Sequence, residues 1–300
     1  MSELITFSID GKSVTATDKD TILTAAEKIG IEIPRLCYLE GYRPDGNCRA
    51  CVVEIEGERV LAPSCCRQPT NGMEVKSNTM RARFSQRLVV ELLVSDTRIN
   101  TSEDGPESEL TALTKTFELK NNRFAPRAQL PLDSSNHAIS VNLNDCIQCG
   151  RCVRACREEQ VHDVIGYSFR GSESKITFDA DLAMGDSTCV SCGECVQACP
   201  TDALVPASRP ESSAITKKVD SVCPYCGVGC LLTFNVADTK ITSVSGRNGP
   251  SNTKRLCVKG RFGFDYINHP ERLSVPLIRL KSAEKTADII DSKDNKKHFR

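Results

Sequence analysis

The chain has 300 residues, 39 basic and 39 acidic, so its formal net charge is zero and neither nucleic acid nor an anionic membrane is indicated as principal partner. It is 39% hydrophobic and 5% aromatic, has no Trp and yet holds 17 Cys. That excludes one large apolar core and points to small domains that draw part of their folding free energy from metal. The first residues show no basic segment followed by an apolar run, and apolar stretches such as Leu88-Val89-Val90 are far too short to span a bilayer. A cytoplasmic protein is expected, in which thiols stay reduced and C-x2-C spacings mean metal rather than disulfides.

In chain order, residues 4–9 alternate apolar and polar side chains, Asp10-Gly11 is a hairpin turn, and Ser13 to Thr15 return as the partner strand. Thr21 caps a helix through Ile29 that Gly30 stops. After Pro34 come Cys37, Cys48 and Cys51, the alternating strand Val52-Val53-Glu54-Ile55, a Glu56-Gly57 turn, a second strand to Leu61, and then Cys65-Cys66. Hairpin, helix, Cys loop and hairpin describe a small β-grasp ferredoxin. The spacing C-x10-C-x2-C-x13-C differs from the plant-type pattern, and by itself leaves zinc as an alternative. Cys37, Gly46-Asn47-Cys48-Arg49-Ala50-Cys51 and Ser64-Cys65 resemble a family's N-terminal [2Fe-2S] domain. That domain is shared by the large cluster-bearing subunit of respiratory NADH dehydrogenase, [FeFe] hydrogenases and NAD-linked formate dehydrogenases. Consecutive strand residues face opposite ways, so Cys65 and Cys66 are not both expected at one cluster. The spacing selects Cys65 and leaves Cys66 packed as a small apolar residue.

From Thr79 to Ser95, Met80, Phe84, Leu88 and Leu92 recur at i+4 with Val89 and Leu93 beside them, an amphipathic helix whose stripe reads as a core face. In many members of the resembled family the following segment carries one His and three Cys for a further [4Fe-4S] cluster. Residues 95–110 here hold neither residue type, so no such cluster is expected. The polar stretch from Thr101 to Ser108 reads as a solvated loop, followed by a short helix near Leu110 to Leu119. Residues 121–137, with Pro126, Pro131 and a Ser134-Ser135-Asn136 run, read as a linker in which His137 is solvated.

Next comes a cysteine word written twice. Its copies are Cys146-Ile147-Gln148-Cys149-Gly150-Arg151-Cys152-Val153-Arg154-Ala155-Cys156 and Cys189-Val190-Ser191-Cys192-Gly193-Glu194-Cys195-Val196-Gln197-Ala198-Cys199, the second followed by Pro200. A C-x2-C-x2-C loop wraps three thiolates around one iron-sulfur cube, and in two-cluster ferredoxins the fourth Cys ligates the other cube. The pattern assigns Cys146, Cys149, Cys152 and Cys199 to one [4Fe-4S] cluster, and Cys189, Cys192, Cys195 and Cys156 to another. Identical spacing in both copies weighs against zinc or disulfides. Arg157 stands where the first copy would carry its proline, a cation expected to raise the potential of a nearby cluster. Between the copies, residues 161–171 and 175–178 are strand-like and imply an inserted hairpin, with His162 in a surface or core role.

After a Pro- and Ser-rich break at residues 206–213 come Cys223-Pro224-Tyr225-Cys226-Gly227-Val228-Gly229-Cys230 and Cys257-Val258-Lys259-Gly260-Arg261-Phe262-Gly263-Phe264-Asp265-Tyr266. The pattern C-x2-C-x3-C-x26-C suits a third [4Fe-4S] cluster on Cys223, Cys226, Cys230 and Cys257, with a zinc ribbon the alternative from spacing alone. These words resemble the N-terminal cluster domain of the molybdenum- or tungsten-bis(pterin guanine dinucleotide) oxidoreductases, in the formate dehydrogenase branch. The resemblance gives Lys259 a place between cluster and pterin, helping electrons pass, against the plainer reading of a solvated lysine. Asn268-His269-Pro270-Glu271-Arg272 and onward resemble the lead-in to that family's large pterin domain, and the residues that handle formate would lie downstream.

The expected fold is α+β, a string of small iron-sulfur domains: a β-grasp [2Fe-2S] ferredoxin at 1–78, a helical segment at 79–120, a linker at 121–137, a twin [4Fe-4S] ferredoxin at 138–210, a molybdopterin-oxidoreductase [4Fe-4S] domain at 216–271 and the start of a pterin domain at 272–300. The resemblance implies part of the α (catalytic) subunit of a cytoplasmic NAD-linked formate dehydrogenase. It would carry one [2Fe-2S] and three [4Fe-4S] clusters, with the Mo- or W-pterin only in a longer chain. Its partner would be a flavin- and NAD-binding or ferredoxin-type subunit. The alternatives are a non-catalytic iron-sulfur carrier, or a subunit related to NADH dehydrogenase or hydrogenase.

Overall fold

The computed structural model describes residues 4–97, 108–119, 123–208 and 215–269, with isolated positions up to 281. Most of the expected loop at 101–108, part of the break at 206–213 and most of 272–300 lie outside the described residues. The architecture is α+β, built from short sheets and helices with several separate small cores.

The first unit starts with a hairpin of β1 (Leu4–Ile9) and β2 (Lys12–Thr17) in antiparallel register. Its two-residue turn needs positive φ at both central positions, and Asp10 (49°) and Gly11 (78°) supply it. Helix α1 (Ile22–Lys28) is opened by a capping box in which the Thr21 hydroxyl accepts from Thr24 N–H while Thr24 Oγ1 accepts from Thr21 N–H. It buries Ile22, Leu23, Ala25 and Ala26 against the sheet.

Strand β3 (Val52–Ile55) lies where the alternation placed it, but the return strand β4 is Ala62–Pro63 and not the stretch ending at Leu61. A strand outside the sequence reading, β5 (Glu74–Lys76), fits between β1 and β3, parallel to one and antiparallel to the other. The sheet order is therefore β2-β1-β5-β3-β4. Three residues, of which only Val75 is buried, are too short for alternation to register.

Helix α2 (Met80–Ser95), capped by Thr79, reverses one expectation. Met80, Phe84 and Leu92 of the stripe face outward, with exposures of 90%, 66% and 43%, Leu88, Val89 and Leu93 are half-buried, and Ala82, Gln86, Val90 and Glu91 are buried. Close approach to the sheet explains the inversion. Gln86 Nε2 donates to the carbonyl of Val52 at 2.9 Å and of Ser77 at 3.3 Å, a contact that suits a flat face of small and polar residues. Glu91 is held by both Nε and an Nη of Arg123, each at 2.6 Å. Helix α3 (Glu109–Thr116) packs on α2 and brings Leu110 and Phe117 into one apolar cluster with Leu36, Cys37, Val90, Ile147 and Cys149.

Residues 123–137 form no helix but are no loose linker. Arg127 donates to the carbonyls of Cys146 and Ser174, Leu130 exchanges bonds with Asn144, and Asp133 accepts from Met184 N–H. They strap the next unit, whose elements are β6 (Ile139–Val141), α4 (Arg151–Arg154) running into a π-turn at Ala155–Glu159, β7 (Ile165–Ser168), β8 (Lys175–Phe178), α5 (Glu194–Ala198) and β9 (Leu204–Pro206). β6 and β9 pair and close the ends, and β7 with β8 is the inserted hairpin; His137 and His162 are both exposed.

The last unit is a three-stranded antiparallel sheet, β10 (Lys217–Val222), β11 (Leu231–Ala237) and β12 (Lys240–Gly246), followed by α6 (Val258–Phe262). The sequence reading left this sheet out, although Asp238 and Thr239, both with positive φ, make a second two-residue hairpin turn. Among the described residues no helix is long and apolar enough to cross a membrane.

The inverted face of α2 sets an expectation. Val90→Ala, at a fully buried site, should lower the apparent unfolding free energy by about 2 kcal/mol. Phe84→Ala on the outer stripe should change it by less than about 0.5 kcal/mol. Urea titration of both variants checks this, and equal losses would contradict the assignment of faces.

Candidate metal centres

Cys37, Cys48, Cys51 and Cys65 converge from the 37–51 loop and the turn after β4. Three are buried and Cys48 partly so. Cys37 N–H donates to Cys48 Sγ at 3.4 Å. The thiol of Cys37 is pulled down by hydrogen bonds from Cys48 and Cys65, whose own thiols are pushed up by donating to it. Cys37 thus lies within reach of both Cys48 and Cys65, and Cys65 of Cys51. Positive φ at Gly46 (69°) and Arg49 (61°) lets the loop curl around them.

Cys66 departs from expectation. Residues 64–66 form a turn, so strand alternation does not govern them; Cys66 is exposed rather than packed, and its Sγ lies 3.5 Å from that of Cys65.

The twin word folds the same way twice. In the first copy Gln148 (φ 54°) and Gly150 (73°) are left-handed; in the second Ser191 (53°) and Gly193 (74°) are. Each left-handed step turns the next thiol inward. It also points backbone N–H groups at sulfur: Gln148 N–H donates to Cys146 Sγ and Ser191 N–H to Cys189 Sγ, both at 3.4 Å. Cys146, Cys149, Cys152 and Cys199 line one apolar cavity together with Ile147 and Ile176. Cys189, Cys192, Cys195 and Cys156 gather separately, each of the first three sensing Cys156 electrostatically, while Val164 N–H donates to Cys156 Sγ at 3.4 Å. The structure thus places Cys199 beside the three thiols of the first word and Cys156 near those of the second.

Burial pushes the Cys146 thiol up to about 11 and the Cys149 thiol up to about 12, and lifts Cys152 and Cys195 well above the ordinary range. A neutral thiol is a poor ligand, so these pockets suit a cation able to displace the protons. The donor set is sulfur throughout, the choice of soft iron-sulfur or zinc chemistry. A single zinc ion needs its sulfurs about 2.3 Å from one point. Among the described residues no three His, Cys, Asp or Glu side chains are gathered to hold a single ion.

Cys223, Cys226, Cys230 and Cys257 form the last group, between β10, the turn before β11 and the start of α6. The Cys230 thiol is pushed up by burial and then by the other three sulfurs. This group is open on one side: Cys226 and Cys257 are exposed, as are Val222, Val228 and Tyr266. Lys259 is exposed on α6, two residues after Cys257.

Two residues inside the first word carry a role that spacing did not reveal. Arg151 is almost fully buried; it donates to both carboxylate oxygens of Glu109 at 2.6 and 2.8 Å and to the Tyr38 carbonyl. Arg154 donates to the carbonyl of Cys37 at 2.7 Å and of Cys149 at 3.2 Å, joining two Cys loops through one guanidinium. The available signal was a charged residue held at a fixed place within a motif of small and apolar ones. Arg157, by contrast, is exposed and paired with Asp163, where solvent screens its charge.

Three family models match the chain: the 2Fe-2S iron-sulfur cluster binding domain over residues 2–80, the 4Fe-4S dicluster domain over 145–203 and the Molybdopterin oxidoreductase Fe4S4 domain over 216–269. Among curated relatives, an NADH-quinone oxidoreductase component of Rhizobium meliloti is 34% identical over 92% of this chain and 33% of its own length. A Bacillus subtilis protein provisionally named formate dehydrogenase, YrhE, is 29% identical over 96% of this chain and 35% of its own. A chain in the crystal structure of NAD+-reducing [NiFe]-hydrogenase in the H2-reduced state superposes with a TM-score of 0.64 at 28% identity, covering 71% of this chain and 92% of that one. The chain spans about a third of the length of the curated relatives it matches. The chain thus carries a 2Fe-2S domain, a 4Fe-4S dicluster domain and a molybdopterin oxidoreductase Fe4S4 domain in that order, and is similar to the corresponding part of NADH-quinone oxidoreductase, hydrogenase and formate dehydrogenase-like proteins.

Proposed function

We propose that the chain is a four-station electron relay. Cys37, Cys48, Cys51 and Cys65 hold one [2Fe-2S] cluster. Cys146, Cys149, Cys152 and Cys199 hold the first [4Fe-4S] cluster, Cys189, Cys192, Cys195 and Cys156 the second, and Cys223, Cys226, Cys230 and Cys257 the third. Bound, such clusters supply one-electron redox centres whose potentials follow charge, burial and hydrogen bonds to sulfur. The protein's part is to gather the thiolates, exclude water from the twin pockets and aim N–H groups at sulfur. The observation that carries the reading is the crossed grouping, in which Cys199 joins the first word's loop and Cys156 the second's.

For the longer polypeptide two readings stand side by side. A formate dehydrogenase α subunit, with Mo- or W-bis(pterin guanine dinucleotide), is supported by the Fe4S4 domain match and by YrhE. Lys259, beside the open side of the last sulfur group, would then ease electron passage toward the pterin. An electron-transfer subunit without formate chemistry is supported by the NADH-quinone oxidoreductase relative and the hydrogenase chain. In either case we propose a cytoplasmic protein whose redox partner is a flavin- and NAD-binding or ferredoxin-type subunit.

Anaerobically purified protein should be brown and contain about fourteen iron atoms per chain from one two-iron and three four-iron centres. Iron and acid-labile sulfide assays check this; colourless, zinc-loaded protein would sink the relay. Cys199→Ala should lose about four of those irons and leave the [2Fe-2S] signal intact in electron paramagnetic resonance. Burial raises the thiols of Cys146, Cys149 and Cys152, so these stand protonated before metal arrives and loading releases protons. Uptake followed by visible absorbance should therefore weaken as pH falls and strengthen as it rises. Formate-dependent dye reduction by these 300 residues should be nil; turnover would show that formate chemistry resides within them.

A further inference from the structure

We infer that Glu194 and Arg261 are positioning residues, the centre of a buried lock that fixes the last sulfur domain against the Cys189-to-Cys195 loop. The inference rests on the relay reading and deepens it, because the lock sets the gap an electron must cross between those two stations.

Glu194 is fully buried, one residue before the ligand Cys195. A buried carboxylate is tolerated only when paired and hydrogen-bonded. Its partners come from both flanking domains. Oε1 accepts from the Tyr42 hydroxyl at 2.8 Å and lies 3.1 Å from an Nη of Arg255, while Oε2 accepts from an Nη of Arg261 at 2.9 Å. Tyr42 belongs to the first Cys loop, and Arg255 and Arg261 flank Cys257.

Arg261 uses its remaining donors on the same loop, Nε to the Cys192 carbonyl at 3.0 Å and Nη1 to Gln197 Oε1 at 2.8 Å. One guanidinium thus ties the backbone of a ligand cysteine to the helix that begins after Cys257. Gly193 marks how close the two surfaces come. A Cβ there would stand 2.2 Å from Arg261 Cδ and 2.6 Å from Phe262 Cζ, and its φ of 74° disfavours a side chain as well.

The first word supports the assignment by contrast. At the matching place, one residue before Cys152, it carries Arg151, whose partners are Glu109 and the Tyr38 carbonyl. Equivalent positions of opposite charge therefore select different neighbours, Glu109 for the cation and Arg255 and Arg261 for the anion. Charges facing the lock are balanced, since Arg255 also pairs with Glu159.

The test uses the whole 300-residue chain with its metal, purified anaerobically. Glu194→Gln keeps the size of the side chain and removes its charge; Arg261→Met removes the bridge; Tyr42→Phe removes a single hydroxyl. Glu194→Gln and Arg261→Met should retain wild-type iron but show an increased radius of gyration in small-angle X-ray scattering. In dithionite-reduced samples the last domain's paramagnetic signal should lose the broadening caused by its neighbour. Tyr42→Phe should shift both readouts in the same direction by less. If Glu194→Gln keeps iron, scattering and broadening all as in the wild type, the lock is disproved even while the relay stands. Should Arg261→Met shed iron, Glu194→Gln, which leaves every cysteine and Arg261 in place, still decides. Wild-type protein without iron would remove the relay and this inference with it.

Discussion

Several thiols facing one another in an apolar pocket can give up their protons together only if positive charge sits between them, and this requirement organises the whole chain. Four small cores contain sulfur: Cys51 and Cys65 lie in the first, Cys152, Cys156 and Cys195 in the second, Cys37 and Cys149 in the third and Cys223 in the fourth, while a fifth, of Tyr42, Ala155 and Ala198, holds none. With 39% hydrophobic residues spread over these clusters, none amounts to a large apolar core. The ligands are therefore also core residues, and losing metal would loosen packing as well as chemistry.

Left-handed backbone steps are the device that makes this possible. The same two positions in each twin word take positive φ, and only one of each pair is glycine; Gln148 and Ser191 adopt it without that freedom. Local strain of this kind persists where surrounding structure over-determines it. Here the N–H bonds to sulfur and the crossed closure by Cys156 and Cys199 provide that determination.

Between units, guanidinium groups reach backbone carbonyls of cysteine loops, and the buried Glu194 carboxylate accepts from Tyr42 and Arg261. Arg154 reaches Cys37 and Cys149, and Arg261 reaches Cys192. The first domain and the twin domain thereby meet directly, with Cys37 and Cys149 in one apolar cluster. The cost is buried charge, tolerable because each is matched and hydrogen-bonded.

What the amino-acid order determined by itself is whatever depends on short covalent spacing. The hairpin at Asp10-Gly11, the Thr21 cap and the loops of the Cys words were all legible, because turn dihedrals and three-residue loops leave few options. What only the tertiary structure decided is which way surfaces face. Met80, Phe84 and Leu92 of α2 point outward because Gln86 must reach the Val52 carbonyl, and β5 exists because β1 and β3 present edges to it. Cys66 turns to solvent because a turn, and not a strand, carries it. Arg151 and Glu194 look interchangeable within their words until folding supplies Glu109 to one and Arg261 to the other. A long-range partner is absent from any window of sequence, and a buried charge has meaning only beside the group that neutralises it.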